Sequence, residues 1–575
     1  MPIRRHFMLA DLVHDGENLP PAGAPPILPV MYFEQFYLSC LAHASYMIGS
    51  EGVAAVVDPQ RDVELYLEEA RKNGLRIEHV IETHLHADFV SGHQELATRT
   101  GAKIYVGGSS GATFPHVPVR EGHEVRFGQC LLRFLETPGH TVESICILVT
   151  DLERSAEPFA VLTGDTLFIG DVGRPDLSPG YTPQQLAALL YESLQQKLLK
   201  LPDETRIYPA HGAGSLCGRQ IGAERFSTIG KERMTNYALK AASRDEFVHL
   251  LTDALPERPG YFARDAEINR TGASPLADLP PLPAFDAFAV LRLQEKGAVV
   301  LDTRPQAEFG AGHIPGSVHI ALSGQFAAWA GTLLGMETDL VLVAADAETV
   351  EEARLRLARV GIERVAGYLD GGIETWKRQN LMLDQVPQIP VQDFASLMRD
   401  KKDQMQVLDV RRQGEWEEGH IEGAVLKPLN QLTRTLDNLD PQRPVAVHCK
   451  SGYRSSIATS LLQRAGFSQV INVTGGFDAW KAAGLPVATP DAERNYIQSW
   501  SRAKVEGYRE RTLELRGWPV NLTSYKIGSH FHAKADNVSP GASLARTTAD
   551  TREEAEQLAL TRAGEMLART QRRAV

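Results

Sequence analysis

Short apolar runs and helix-period segments alternate along the first half of the chain. From about Met31 the runs "VAAVV", "HVI" and "AKIYV" are separated by "DVELYLEEARKNG" and "GHQELATRTG", where hydrophobic residues recur every three or four positions. Strand-like and helix-like patterns taking turns in this way predict an α/β domain. The pattern continues through "CLLRFLETPGH", "SICILVTD" and "FAVLTGD", and a helical "PQQLAALLYESLQQKLLKL" precedes "RIYPAHG". Each run ends in polar residues at the carboxyl end of its strand, where open α/β sheets place their chemistry. The domain closes near Arg270, because "TGASPLADLPPLPAF" is proline-rich and reads as a linker.

An internal repeat follows. "LDTRPQAEFGAGHIPGSVHI" (Leu301–Ile320) matches "LDVRRQGEWEEGHIEGAVLK" (Leu408–Lys427), and "YLDGGIETW" answers "VTGGFDAW", so two copies of one α/β unit stand in tandem. Beyond about Arg494, "VNLTSYKIGSHFHAKAD" alternates like a hairpin and "TREEAEQLALTRAGEMLARTQRR" is a capped amphipathic helix. The expected organisation is α/β multidomain: a loose proline-rich tail 1–30, a first domain 31–270, a linker 271–282, the two copies 283–385 and 386–490, and a small β-sheet-plus-helix module 491–575.

Composition narrows the function classes. The 575 residues carry a formal net charge of −12 with no evident basic patch, which speaks against a nucleic-acid partner. The five cysteines are scattered without a CxxC pair, as expected in a reducing compartment. The amino-terminal stretch lacks a signal-peptide core, and no run approaches the roughly 20 apolar residues of a membrane span. A cytoplasmic protein without membrane attachment is expected.

Candidate chemistry sits at the strand ends. "ETHLHADFVSG" supplies His84, His86 and Asp88, "TPGH" His140, "TGD" Asp165 and "YPAHG" His211. Any one histidine is more often structural than ligating; six candidate ligands in this order predict a metal site. His530 and His532 share a strand face and could bind metal as well, although a solvated pair is the more economical reading.

This ordered set resembles the metallo-β-lactamase superfamily over about Met31 to Arg270, which implies an αββα sandwich with metal at one edge. The superfamily's full first motif is H-x-H-x-D-H, and Phe89 takes its last place here. A phenyl ring cannot replace that nitrogen ligand to a second metal. "THLHADFVSGH", "ETPGHTVES", "TGDTLFIGDVGRPDL" and "YPAHGAGSLCG" look most like the persulfide dioxygenase branch. That resemblance implies one Fe(2+) per chain held by His84, His140 and Asp165, with His86, Asp88 and His211 as outer residues. It also implies that Arg174 contacts the polar tail of a thiol. Two imidazoles and one carboxylate leave positions open for oxygen and substrate. The alternative is a zinc hydrolase that tolerates Phe89.

A second site is expected in "VAVHCKSGYRSSIATSLLQRAG". Cys449, Lys450, Ser451, Gly452, Tyr453 and Arg454 form a strand-to-helix turn whose N–H groups, helix terminus and cations favour an anionic sulfur. With "LDVRRQGEWEEGHIEGAV" and "GGFDAW" the unit resembles a rhodanese domain, in which Asp409, Arg411 and His420 read as mainly structural. In the first copy Ala344 aligns with Cys449, and Asp346 and Glu348 would compete with an anionic sulfur for the same N–H groups. That copy should not transfer sulfur.

The combined expectation is a bifunctional enzyme. It would oxidise glutathione persulfide, or a related low-molecular-weight persulfide, with O2 to sulfite, and move sulfane sulfur through Cys449 between persulfide or thiosulfate and sulfite or thiol. The direction of that transfer and a homo-oligomeric state stay open. Two other readings are a glyoxalase II-like thiolester hydrolase fused to a sulfurtransferase, and a sulfur relay on a catalytically silent first domain.

Overall fold

The structure is a computed structural model describing residues 31–253, 255–401, 404–489, 506–527, 529–538 and 543–568. The expected tail 1–30 lies outside the described residues. The chain forms two compact units: residues up to Val410 with Lys427–Trp480, and Arg411–Leu426 with Lys481 onward.

Two six-stranded sheets build the amino-terminal region. The first runs in chain order β1 (Tyr32–Leu38), β2 (His43–Ser50), β3 (Val53–Val57), β4 (Arg76–Ile81), β5 (Lys103–Gly107) and β6 (Val117–Val119). The second comprises β7 (Glu124–Phe127), β8 (Cys130–Glu136), β9 (Ile145–Asp151), β10 (Ala160–Gly164), β11 (Arg206–Pro209) and β12 (Ser227–Thr228), again in chain order. Glu51 and Gly52 join β2 to β3 with φ of 50° and 81°, the paired positive angles a two-residue hairpin needs.

Alternation along the strands decides which face is buried. In β8 Cys130, Leu132 and Phe134 point inward, and with Val125, Phe127, Ile147 and Leu162 they meet Tyr46, Ile48, Val57 and Tyr105 of the first sheet. Helices close the outer faces: Tyr66, Ala70 and Leu96 cover the first sheet, and Ala187, Leu190 and Leu194 cover the second. The result is the expected αββα sandwich. Thr182 starts the helix Pro183–Gln196 with a capping box that includes Gln185, which the proline-led sequence favours.

The strands Ala284–Phe285, Val299–Asp302, Val318–His319, Leu340–Val343 and Val365–Leu369 form a parallel sheet with helices between them. The second copy repeats the parallel pairing with Gln388–Pro390, Val470–Thr474, Val445–His448 and Gln406–Asp409. The repeated "LDxR" segment is a strand end in both. In the first copy the Arg304 guanidinium grips Asp302 at 2.9 and 2.5 Å and the Gly312 carbonyl at 3.0 Å. His313 stacks on Phe309 at 3.8 Å.

In the second unit Arg411 donates to the carbonyls of Glu415 and Gly419, and His420 stacks on Trp416 at 3.7 Å. These contacts are of the kind that hold backbone. The carboxyl-terminal module is a four-stranded antiparallel meander, Glu506–Leu515, Trp518–Ile527, His530–Asn537 and Ser543–Ala549, with the helix Arg552–Ala568 on one face. Val520, Leu522, Ala533 and Ala535 meet Ala555, Ala559 and Ala563 there. Among the described residues no helix is long and apolar enough to cross a membrane.

Phe134 is fully buried between the two sheets. Phe134→Ala is expected to destabilise the sandwich by about 3–5 kcal/mol. Chemical denaturation followed by a probe in this region should show a lower midpoint.

Candidate functional site

All six candidate ligands emerge where strands end: His84, His86 and Asp88 after β4, His140 after β8, Asp165 after β10 and His211 after β11. The two sheets bring these ends to one edge. The bridge between His43 and His211, with Ala44 N to Ala210 O at 2.6 Å, ties β2 to the second sheet beside them.

His84, His140 and Asp165 form one buried group whose ligand atoms lie within 4.8 Å of one another. His84 Nε2, His140 Nε2 and Asp165 Oδ2 have no hydrogen-bond partner, although each residue is buried. Leaving three such atoms buried together is costly unless a cation accepts them. The opposite ring nitrogens are already committed. His140 Nδ1 donates to the Arg174 carbonyl at 3.0 Å, which leaves the lone pair on Nε2. Thr83 Oγ1 donates to Asp58 Oδ2 at 2.8 Å, so at 3.0 Å it accepts from His84 Nδ1 and orients that ring likewise. Outer partners of this kind fix tautomer and aim. Gly173 permits the packing: a Cβ there would meet the Asp165 carbonyl at 2.0 Å and His140 Nδ1 at 2.7 Å.

The electrostatics agree with a cation site. Burial holds the His84 and His140 imidazoles below their ordinary range, so both are neutral donors. Burial opposes charge on Asp165 as well, but the facing His211 holds its carboxyl well below the usual carboxylate range.

His86, Asp88 and His211 form a second buried group of ligand atoms within 4.8 Å. Both nitrogens of His211 face carboxylates, Nδ1 to Asp165 Oδ1 at 2.7 Å and Nε2 to Asp88 Oδ2 at 2.9 Å. Against the cost of burial, Asp165 and Asp88 hold this imidazole well above its ordinary range. His86 Nε2 turns instead to Asp58 Oδ1 at 3.2 Å. Phe89 is fully buried between these side chains, its ring 4.1 Å from His43 and 4.4 Å from His86.

Arg174 does not present a free guanidinium. It is buried and bonds Asp176 at 2.7 and 2.9 Å, Pro256 O at 2.7 Å and Leu216 O at 3.3 Å. The atom of Arg174 that reaches the metal group is its carbonyl oxygen.

Several residues had no role in the sequence reading. Asp58 sits at a strand end with φ of 50°, a strained angle of the kind that gathers at functional sites. Cys217, six positions after His211 in "AHGAGSLC", belongs to a third buried group with Asp165 and His211. Burial, and then Asp88 and Asp165, push its thiol well up. Asn269 donates to the carbonyls of His86 and Phe89, both at 2.7 Å, and accepts from Ser91 N at 2.8 Å. Thr83 and Cys217 were legible inside the motifs; nothing in the sequence signals Asn269.

In the second copy Cys449 is buried at the carboxyl end of Val445–His448. Its Sγ accepts from Gly452 N at 3.1 Å and lies 3.6 Å from Ser455 Oγ. Gly452 takes φ of 104° and opens the helix Tyr453–Arg464. Lys450 and Ser451 are exposed and Tyr453 and Arg454 half-buried, and Tyr453 OH donates to Ala321 O at 2.9 Å. In the first copy Ala344 follows the equivalent strand. Asp346 accepts from Thr349 N at 2.8 Å and caps the helix that begins at Ala347. His530 and His532 bond Asp550 and Thr548, both at 3.0 Å, and belong to none of the metal-competent groups among the described residues.

Residues 38–211 match the metallo-beta-lactamase superfamily, and residues 287–379 and 391–483 match the rhodanese-like domain. The chain belongs to the metallo-beta-lactamase superfamily, with two rhodanese-like domains fused behind that domain. A metallo-beta-lactamase crystal structure from Staphylococcus aureus subsp. aureus COL is 34% identical with a TM-score of 0.54, covering 59% of this chain and 98% of that one. Human persulfide dioxygenase ETHE1, mitochondrial, is 31% identical over 40% of this chain and 82% of that protein. Hydroxyacylglutathione hydrolase of Rhodopseudomonas palustris (strain BisB18) is also 31% identical, over 44% of this chain and 87% of that protein. The similarity is shared between a dioxygenase and a hydrolase.

Thr83→Val removes the acceptor of His84 Nδ1 at nearly constant volume. Metal affinity is expected to fall about 10–100-fold, measured by equilibrium dialysis of the metal-free protein.

Proposed function

We propose that this chain is a persulfide dioxygenase joined to a sulfurtransferase, with one ferrous ion held by His84, His140 and Asp165. The observation that carries this reading is Phe89, an apolar ring packed on His86 and His43 where a second metal would need a ligand. A ferrous ion held by these two imidazoles and this carboxylate would supply redox chemistry toward O2 and a soft anionic sulfur. Around it, His211 pins Asp165 through Oδ1 and leaves Oδ2 for the ion, while the Arg174 carbonyl fixes His140. The fully buried Phe89 ring lays an apolar face against His43 and His86. The overall change is balanced: a persulfide, O2 and water give the thiol, sulfite and two protons.

Cys449 carries the second activity. Its thiolate attacks the outer sulfur of thiosulfate, the S–S bond breaks, and sulfite leaves with the bonding pair. The new persulfide anion is held by Gly452 N–H, and an acceptor thiolate then takes the outer sulfur and releases Cys449. The same steps reversed make thiosulfate from sulfite. The second group, His86, Asp88 and His211, favours a different reading, a thiolester hydrolase like the hydroxyacylglutathione hydrolases.

Anaerobically purified protein should contain one iron per chain and consume O2 with glutathione persulfide. Two zinc ions, no O2 uptake and turnover of S-lactoylglutathione would establish the hydrolase instead. Cys449→Ser should reduce thiosulfate turnover to background and leave O2 uptake within about twofold; equal loss of both would contradict two separate sites.

A further inference from the structure

The loop that carries His84, His86 and Asp88 is held from outside the sandwich. Asn269 bonds the main chain of His86, Phe89 and Ser91, and the Arg359 carbonyl accepts from Val90 N at 2.7 Å. Arg359 belongs to the rhodanese copy that lacks a cysteine. Its guanidinium also grips Asp62 with two bonds of 2.8 Å, and nearby Arg61 pairs with Glu363 at 3.0 Å.

The Asn269 helix, Phe262–Thr271, is keyed into that same copy. A Cβ on Gly331 would lie 2.8–3.1 Å from the Tyr261 ring, and a Cβ on Gly361 would lie 2.7 Å from Asp265 Oδ1. Phe89 shares one continuous apolar core with Phe326, Ala330 and Leu357 of the copy.

We propose that the cysteine-less rhodanese copy is a positioning element of the metal centre. It fixes the His84–Ser91 loop directly through the Arg359 carbonyl and indirectly through the helix bearing Asn269, and Phe89 seals the joint. The inference rests on the reading of His84, His140 and Asp165 as metal ligands. Ligands on a loop hold their geometry only when the loop is fixed to within a fraction of an ångström. Here one fixing atom, the Arg359 carbonyl, comes from the copy, and the helix that supplies the others packs against it. The copy without a cysteine thereby serves the other site through its surface.

The test uses the full-length metal-free chain and Co2+ alone. Gly331→Leu drives a side chain into Tyr261 while suiting the helix Phe326–Leu334 that bears it, and Arg359→Met cuts the grip on Asp62. Asp346→Ala, an exposed change in the same copy, is the control. Both interface variants should weaken Co2+ binding at least fivefold and alter the visible Co2+ spectrum, with the control matching wild type. Thiosulfate turnover at Cys449 reports whether each chain is folded, and should Gly331→Leu lose it, Arg359→Met decides. Wild-type Co2+ affinity and spectrum in a folded interface variant would overturn the inference. Failure of the unaltered chain to bind Co2+ would instead remove the metal-site reading beneath it.

Discussion

Three buried atoms without partners, His84 Nε2, His140 Nε2 and Asp165 Oδ2, set the terms for the amino-terminal domain. A protein interior tolerates such a group only if something else satisfies it or the surroundings refuse to relax. The surroundings here are unusually committed. Each outer nitrogen is bonded, each ligand follows a strand end, and Gly173 lets two ligand-bearing segments touch. The fold thus holds these three ligand atoms together in one arrangement.

His211 shows how the remaining charge is managed. Lying between Asp88 and Asp165, it balances two buried carboxylates that would otherwise repel each other. Farther out Arg61 pairs with Glu363 and Arg359 with Asp62, both acids partly exposed. Taking one partner from a buried pair is more damaging than never having the pair. These charges are therefore coupled to the packing around them.

What could be read in the sequence followed from distance along the chain. The α/β texture, the tandem copies and the ligand order were legible because each lies in a short segment with its own pattern. The replacement of Cys449 by Ala344 was legible through the repeat, and so was the carboxylate that caps the helix beside it. Asn269 and Arg359 were not, since each reaches the metal loop from far along the chain and neither sits in a motif. Arg174 shows a subtler limit. Its side chain invited a binding role, whereas the atom nearest the metal group is its carbonyl, which residue identity does not announce.

The bond from Val90 N to the Arg359 carbonyl has a consequence for biosynthesis. A growing chain has released every candidate ligand once His211 is out, yet the carbonyl that closes the loop is not made until Arg359. At roughly 5–20 residues per second that interval lasts roughly 7–30 s. Throughout it the candidate ligands exist while Phe89 lacks its later apolar partners Phe326, Ala330 and Leu357. The order of synthesis thus separates having the candidate ligands from having the bond between Val90 and Arg359.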